Sequence, residues 1–222
     1  MNQVRINYLI IVMLILCKSV PTFSQESFKL IQYPTSDQGQ IEAAYFDAGT
    51  DKVVIFAHGA VFNKESWYFL AEKFKSIGIS SLSIDFRGYG KSKAGSTNKR
   101  SLDILGAIDY AVQQNLSEIY IIGASMGGAA VLMALDGLEQ PGVKKVVLLA
   151  PAGGPAVMSS SIQKLFVVAL EDRFYNGVIN VYENSNSPKS LKTYQGNSHA
   201  QNLFSSEHSA DLINYIIEFV TQ

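Results

Sequence analysis

Short, continuously apolar segments alternate with helical segments along most of this sequence. The clearest are "KVVIFA" (Lys52–Ala57), "EIYIIG" (Glu118–Gly123), "KKVVLLA" (Lys144–Ala150) and "KLFVVAL" (Lys164–Leu170). A strand that lacks a polar face must be buried on both sides, which is typical of a parallel sheet covered by helices. The alternation therefore predicts an α/β fold with a doubly wound, mainly parallel sheet.

Helical spacing and end signals indicate helices between these strands, and weaker apolar runs indicate further strands. In such a sheet, sites form at the carboxyl ends of the strands, so functional side chains are expected in the loops that follow them. The further predicted elements are strands at Ile41–Phe46, Ile79–Asp85 and Lys192–Gln195, and helices at Ser66–Gly78, Arg100–Asn115, Phe174–Tyr182 and Glu207–Val220, with one more helix starting at Ser125.

The N-terminal segment has the layout of a secretory signal peptide. Arg5 lies in a short polar lead, and an apolar run follows from Tyr8 to Leu16. We therefore predict a signal peptide at residues 1–24, cleaved after Ser24, and one folded domain at residues 25–222. The run is short for a transmembrane span, so an uncleaved membrane anchor is the alternative, and no stable membrane insertion is expected after cleavage.

The composition argues against a nucleic-acid partner and is compatible with export. The chain has 18 Lys and Arg against 19 Asp and Glu, without the basic stripe of a nucleic-acid-binding protein. Its one cysteine, Cys17, lies in the predicted signal peptide, so the mature chain would have no thiol to oxidise. These features fit an exported protein, periplasmic or secreted, that does not bind nucleic acid.

Ser125 lies in "GASMGG" (Gly123–Gly128), between a predicted buried strand and a predicted helix. A serine on such a sharp turn presents its hydroxyl at the edge of the sheet, and the positions two before and two after it must be small. Those positions are Gly123 and Gly127. A G-x-S-x-G match also arises by chance, and its placement between strand and helix is what predicts Ser125 as a nucleophile.

Two more signatures precede this one at the ends of earlier strands. They are "AHGA" (Ala57–Ala60) and "DFRGYGKS" (Asp85–Ser92). The three segments together resemble the α/β-hydrolase superfamily, particularly its small single-domain serine hydrolases, the dienelactone-hydrolase-like and short abhydrolase proteins. The resemblance runs from about Ile41 to the C-terminus. Only Pro151–Gln163 separates two strands where capped relatives insert a lid, so we expect no cap domain and an open site, covered at most by this loop and Ala94–Asn98.

The resemblance implies an oxyanion hole made of two backbone N–H groups. One belongs to Met126, directly after the serine, and the other to the loop after the first buried strand. Ala60 is the favoured loop donor and Val61 the alternative. His58, in the same loop, is expected to order the backbone as a buried, hydrogen-bonded histidine.

The superfamily's triad follows the chain order serine, acid, histidine. The expected acid is Asp172 in the loop after Lys164–Leu170, with Glu171 as the alternative. The expected base is His199, in a glycine- and serine-containing loop, whereas His208 resembles a solvated residue at a helix start.

Asp85 precedes the serine, so this order excludes it as the triad acid. Asp85 and Arg87 are therefore expected to have structural roles.

The resemblance implies an exported serine hydrolase that cleaves carboxylic esters or related acyl groups through an acyl-enzyme. Such chemistry requires no metal or organic cofactor, and the partner would be a small-molecule or acylated substrate. A peptidase or amidase with the same triad is one alternative, because one triad serves both reactions. A non-catalytic binding protein is another, because the fold alone does not imply turnover.

Overall fold

The computed structural model describes residues 27–137 and 142–222 and shows an eight-stranded sheet with helices packed against it. The predicted doubly wound α/β fold is confirmed. The strands are β1 (Lys29–Pro34), β2 (Gln40–Phe46), β3 (Lys52–Ala57), β4 (Ser80–Ile84), β5 (Glu118–Ala124), β6 (Val143–Leu149), β7 (Gln163–Ala169) and β8 (Lys189–Tyr194). The helices are α1 (Tyr68–Ser76), α2 (Ser101–Gln113), α3 (Met126–Ala134), α4 (Tyr175–Asn184) and α5 (Ser209–Thr221), with short 3₁₀ helices at Lys64–Trp67 and Ala200–Ser205.

The sheet is mainly parallel. The strand order is β1-β2-β4-β3-β5-β6-β7-β8, and only β2 runs against its neighbours among these strands. From β3 the chain moves to β4 in one direction across the sheet, and from β4 to β5 in the other. Right-handed crossovers then place α1 and α2 on opposite faces. The reversal makes the carboxyl ends of β3 and β5 the topological switch point, where a ligand site is expected.

The central strands are apolar along their whole length because both of their faces are covered. Every residue of β4, and five of the six residues of β3, are buried. Residues of β5, β6 and β7 show the same burial, apart from the first residues of each strand. The continuous apolar runs in the sequence thus form the core of the sheet.

The edge strands differ most from the prediction. The sequence analysis did not predict β1, and β8 starts at Lys189 rather than at Lys192. An edge strand needs few buried side chains, and Tyr33 is the one buried residue of β1. Its hydroxyl donates to the Asp103 carbonyl of α2 at 3.0 Å, a contact across 70 residues that no local pattern reveals.

The predicted helix at Ser66–Gly78 is divided into a 3₁₀ helix and α1. The Asn63 side chain accepts a hydrogen bond from the Glu65 N–H at 3.2 Å and so begins the 3₁₀ segment earlier than expected. Asparagine is a preferred residue at this position because its side chain satisfies an N–H that lacks a partner within the helix.

No cap domain is present in the described part of the chain, since β6 and β7 are joined by a segment without helix or strand. The predicted signal peptide, residues 1–24, lies outside the described residues and stays a prediction. Within residues 27–137 and 142–222, no helix has the length and apolarity needed to cross a membrane.

A buried ionic cluster anchors the segment after β4. All three side-chain nitrogens of Arg87 donate hydrogen bonds, to Asp103 in α2 and to Asp37 in the β1–β2 turn. The Arg87 guanidinium, with the hydroxyls of Thr35 and Thr97, holds the pKa of the Asp37 carboxyl well below its usual range. Burial instead raises the pKa of Asp103. Arg87 has the structural role that the sequence analysis predicted.

Replacing Asp37 by Asn is expected to lower the free energy of unfolding by about 2 kcal/mol at pH 7, because hydrogen bonds to a charged group are lost. The pKa of Asp37 is lower in the folded protein than in the unfolded chain. As the pH falls below about 4, the Asp37 carboxylate therefore becomes protonated in the unfolded chain while it is still ionised in the folded protein. The contribution of Asp37 is therefore complete above about pH 4 and is lost at more acidic pH. Urea unfolding should show that the difference in the free energy of unfolding between wild type and D37N is smaller at about pH 3 than at pH 7.

Asp109→Asn is the control, because Asp109 is an exposed carboxyl on α2. An undiminished D37N effect at the lower pH would contradict the assignment of this acid sensitivity to Asp37.

Candidate active site

Ser125 lies in a strained turn between β5 and α3. Its φ is 50° and its ψ is −112°, a conformation that non-glycine residues rarely adopt. A Cβ on Gly127 would collide with the Ala57 backbone, and one on Gly123 would lie 2.9 Å from the Gly127 carbonyl oxygen. The two glycines therefore permit the close approach of α3 to β3 and β5, and the turn presents Ser125 at the carboxyl edge of the sheet.

His199 lies between Ser125 and Asp172. Its Nε2 is 2.8 Å from the Ser125 Oγ, and its Nδ1 is 2.7 Å from the Asp172 Oδ2. The Asp172 side chain is fully buried, and its Oδ1 accepts a hydrogen bond from the Phe174 N–H at 2.9 Å. An ionised Asp172 can only accept, so the neutral His199 donates from Nδ1 and accepts the Ser125 hydroxyl proton at Nε2.

The alternatives for acid and base lie elsewhere. Glu171 is exposed, and its backbone N–H donates to the Gly196 carbonyl at 2.9 Å. His208 bonds through Nε2 to the Gln195 carbonyl at 3.1 Å and its ring lies 4.9 Å from that of Tyr194. The structure thus brings together Ser125, His199 and Asp172.

Phe174 supports the His199 ring, a contact that the sequence analysis missed. The two rings stack at 4.9 Å with an interplanar angle of 30°. Phe174 follows Asp172 by two residues, so one short loop provides both the carboxylate and the stacking surface. An aromatic residue shortly after a candidate acid was the only local signal for this contact.

The loop after β3 forms a tight turn in which the Phe62 N–H donates to the Gly59 carbonyl at 3.0 Å. The Gly59 carbonyl also contacts the His58 Nδ1 at 2.8 Å, so the Gly59–Ala60 peptide is fixed in orientation. In a trans peptide the N–H points away from the carbonyl, so the Ala60 N–H points away from His58. The N–H groups of Ala60, Val61 and Met126 have no acceptor among the described residues.

His58 orders this loop. Its Nε2 accepts a hydrogen bond from the Phe86 N–H at 3.2 Å, so its proton is on Nδ1 and is donated to the Gly59 carbonyl. Burial lowers the pKa of His58 and so keeps the ring neutral. The side chain thus links the loop after β3 to the loop after β4.

Asp85 belongs to a buried ionic cluster. It accepts hydrogen bonds from the Lys64 backbone N–H at 2.8 Å and from the Lys64 Nζ at 2.6 Å. The same Nζ lies 3.0 Å from the Glu42 carboxylate. Asp85 therefore connects β2, the end of β4 and the 3₁₀ helix, which is a structural role.

Gln201 is the residue that sequence reasoning missed. It is buried two residues after His199, and its Oε1 accepts the Gly59 N–H at 2.7 Å across 142 residues. Its Nε2 donates to the Ser66 Oγ at 2.8 Å. One side chain thus joins the histidine loop to the loop after β3. Three of the six residues in "HAQNLF" are polar, so nothing in the sequence distinguished Gln201.

Replacing Gln201 by Met is expected to lower kcat for ester hydrolysis by about 10- to 100-fold, since small displacements of catalytic groups have effects of this size. KM should change less than kcat, because both polar ends of the Gln201 side chain are bonded to the protein, at the Gly59 N–H and the Ser66 Oγ. Gln201→Glu keeps the acceptor for the Gly59 N–H but loses the donor to the Ser66 Oγ and buries a charge, so it should restore only part of the lost rate. Steady-state kinetics of both variants, with the exposed Gln195→Met as control, test this role. An equal loss in Q201M and Q201E, or a change in KM alone, would refute it.

Ser125 and His199 line a cavity of about 490 Å³. Its other walls come from the loop after β3, the loop after β7 and the histidine loop. Neither of the loops that we expected to cover the site lines this cavity. The segment 94–98 instead packs on the β1–β2 turn, where the Ser96 N–H donates to the Asp37 carbonyl at 2.9 Å. Arg87 and Asp37 thus hold this segment on the β1–β2 turn, which is consistent with the open site that the sequence predicts.

No group of three or more His, Cys, Asp or Glu side chains suited to a metal ion occurs among the residues that the structure describes.

The strand order, the turn at Ser125 and the contacts of His199 define the class of α/β hydrolases. Residues 48–220 match the family described as "Serine aminopeptidase, S33". The chain therefore belongs to this family, and the predicted membership of the α/β-hydrolase superfamily is confirmed.

Two curated relatives match parts of the chain. The AB hydrolase superfamily protein YisY of Bacillus subtilis is 29% identical over 109 residues, which are 48% of this chain and 40% of that protein. Dipeptidyl peptidase family member 6 of Caenorhabditis elegans is 28% identical over 137 residues, 56% of this chain and 18% of that protein. The chain thus spans less than half the length of these relatives.

Solved structures of two esterases share the fold. The esterase EaEST of Exiguobacterium antarcticum has a TM-score of 0.71 at 15% identity, covering 86% of this chain and 99% of the other. The Pyrococcus furiosus esterase Pf2001 has a TM-score of 0.70 at 18% identity, covering 87% and 90%. At these identities the likeness establishes the shared fold.

Proposed function

We propose that this hydrolase is an exported serine hydrolase that cleaves carboxylic esters or related acyl groups through an acyl-enzyme. The observation that carries the proposal is the continuous chain of hydrogen bonds from Ser125 through His199 to the buried Asp172.

In this mechanism the Ser125 hydroxyl attacks the substrate carbonyl while His199 Nε2 takes its proton. His199 then returns the proton to the departing alcohol, and water hydrolyses the acyl-enzyme by the reverse proton transfers. Asp172 holds the Nδ1–H tautomer and stabilises the imidazolium form that arises in the transition state. The 2.7 Å contact and the burial of Asp172 support this role.

The backbone N–H groups of Met126 and Ala60 would hold the negative oxygen of the tetrahedral intermediate. Met126 is the first residue of α3, where the helix dipole also favours negative charge. One such donor is worth about 3–4 kcal/mol of transition-state stabilisation. The fixed orientation of the Gly59–Ala60 peptide favours Ala60 over Val61, since a preorganised donor needs no rearrangement during the reaction.

An ester substrate is favoured by the surroundings of the cavity. A groove of about 360 Å³ adjoins it and shares Phe62 and Gln201 with it. Phe69 and Phe204, whose rings are 5.3 Å apart, line the groove and would contact an apolar group of the substrate. The esterase names of the structural neighbours are consistent with this choice.

Aminopeptidase activity is the second candidate. The description of the matching family names this activity, and the exposed Glu171 carboxylate lines the same cavity as Ser125. A carboxylate in this position would attract the cationic amino group of a peptide N-terminus.

The test is a comparison of 4-nitrophenyl esters of increasing acyl length with aminoacyl 4-nitroanilides on the purified protein. Faster turnover of the esters supports the proposal, and faster turnover of the anilides favours the aminopeptidase. Failure of both, with no labelling of the folded protein by a fluorophosphonate probe, would refute a serine hydrolase and favour a binding role.

Export is tested separately, by producing the full-length chain with a C-terminal tag. The proposal predicts a mature protein that begins at Gln25 and lies outside the cytoplasm. An intact N-terminus in a soluble cytoplasmic product would contradict it.

A further inference from the structure

We propose that a second cavity, next to Met126, binds a carboxylate carried by the acyl half of the substrate, with Arg100 as its main partner. The preferred substrates would then be half esters of short aliphatic dicarboxylic acids. The inference rests on the proposed esterase function and names its substrate class.

The second cavity has a volume of about 510 Å³ and lies between the start of α2 and the exposed side of α3. Lys99 and Arg100 form one wall, and Met126, Ala130 and Met133 form another. Ser125 lines the first cavity and Met126 lines the second, and adjacent Cα atoms are only about 3.8 Å apart. The two cavities are therefore lined by consecutive residues of the turn at Ser125, and the proposed substrate would span them.

The wall residue Ala152 also links this cavity to Ser125. Its backbone N–H donates to the Ser125 carbonyl at 3.0 Å, and the residue itself lines the second cavity. The proposed substrate would have its carbonyl carbon at the Ser125 Oγ and a short methylene chain that extends into this cavity. The side chains of Met126, Ala130 and Met133 provide apolar contacts for such a chain.

Arg100 is a partly buried cation without a counter-ion in the described part of the chain. Its Nε is enclosed by protein and has no hydrogen-bond partner among those residues. Arg87, by contrast, uses all three of its side-chain nitrogens in bonds to Asp37 and Asp103. A guanidinium presents paired donors that fit a carboxylate. Because the Nε of Arg100 is enclosed, a carboxylate in the cavity would be held by the terminal Nη donors of Arg100.

The charges that line the two cavities favour one orientation of the substrate. The first cavity is lined by Glu171, Asp172 and Arg173, and so has more acidic than basic groups. The second is lined by two cations, Lys99 and Arg100, and one acid, Asp136. Asp136 lies beyond the end of α3, roughly 15 Å along the helix direction from Met126. Near Met126 the positive charges therefore prevail, and an anionic acyl end is directed there.

The test compares two esters that differ by one charged group, 4-nitrophenyl glutarate (half ester) and 4-nitrophenyl valerate. Arg100→Gln should lower kcat/KM for the half ester by about tenfold or more, while valerate turnover stays within about twofold. Arg100→Lys keeps the charge without the paired donors and should give an intermediate loss. Rates with Ser125→Ala are subtracted, because a half ester's own carboxylate accelerates its hydrolysis in solution.

Lys91→Gln is the matched control, because it removes one positive charge from an exposed position in the loop after β4. It should leave the preference for the half ester unchanged. An unchanged preference in R100Q, or a preference lost in Arg173→Gln instead, would overturn the proposal while leaving the esterase function intact.

A binding measurement separates this inference from the proposed function. Glutarate should bind to the Ser125→Ala protein at least about tenfold more tightly than to the Ser125→Ala/Arg100→Gln protein, as measured by calorimetry. If the wild type hydrolyses neither ester, the proposed function fails, and this difference in glutarate affinity still decides whether Arg100 binds a carboxylate in the second cavity. Equal affinities would overturn it.

Discussion

Ser125→Ala is expected to lower kcat for ester hydrolysis by about 10⁶-fold, the loss seen when the serine of such a triad is removed. Without the hydroxyl no acyl-enzyme forms, and the residual rate comes from substrate binding and the oxyanion hole alone. The loss should appear in kcat, with little change in KM, because Ser125 acts on the reacting carbon and not on the rest of the substrate. Burst and steady-state kinetics with a 4-nitrophenyl ester measure the effect.

The fold should survive this change, because the Ser125 side chain is only partly buried and, among the described residues, bonds to His199 alone. Alanine also removes the hydroxyl without adding atoms to the turn. Ser198→Ala, next to His199 in the chain, is the matched control and should keep both turnover and fluorophosphonate labelling. Turnover that persists in a clean S125A preparation would remove Ser125 from the mechanism.

Asp172→Asn is expected to lower kcat by about 10⁴-fold, the effect of this change in a comparable triad. The Asn amide can donate to Nδ1, which favours the histidine tautomer with its proton on Nε2. That tautomer cannot accept the Ser125 proton. The change is nearly isosteric, and the loss should therefore appear in kcat without a large fall in Tm.

Glu171→Gln is the control for this prediction and also decides between the two acids. Glu171 is exposed and does not contact His199, so E171Q should change kcat by less than about threefold. A larger loss in E171Q than in D172N would show that the loop rearranges during turnover and that Glu171 is the acid.

Much of the fold could be predicted from the sequence, because its signals are local. The strands β3, β5, β6 and β7 are apolar along their length since each is covered on both faces. The edge strand β1 has no such pattern and is held by its pairing with β2 and by the Tyr33 contact with α2. Edge strands and the exact ends of helices are decided by distant partners, which a single sequence does not reveal.

The candidate site also has features that the sequence predicts and features that it does not. The glycines around Ser125 predict a tight turn because only a residue without a Cβ fits there. The contact of Gln201 with the Gly59 N–H spans 142 residues, and the second cavity beside Arg100 depends on how α2 packs on α3. Such contacts leave little periodic or motif signal, since they join side chains that are distant in the chain.

The sequence by itself determined the class of fold and predicted Ser125 as the candidate nucleophile. Buried strands, sharp turns and their order are consequences of local residue choice. Only the tertiary structure decided which carboxylate and which histidine lie beside Ser125. Glu171 and Asp172 are adjacent, yet the path of the loop after β7 buries Asp172 against His199 and leaves Glu171 in solvent. The direction of a loop side chain depends on the packing of distant segments, and that packing is what the sequence alone does not show.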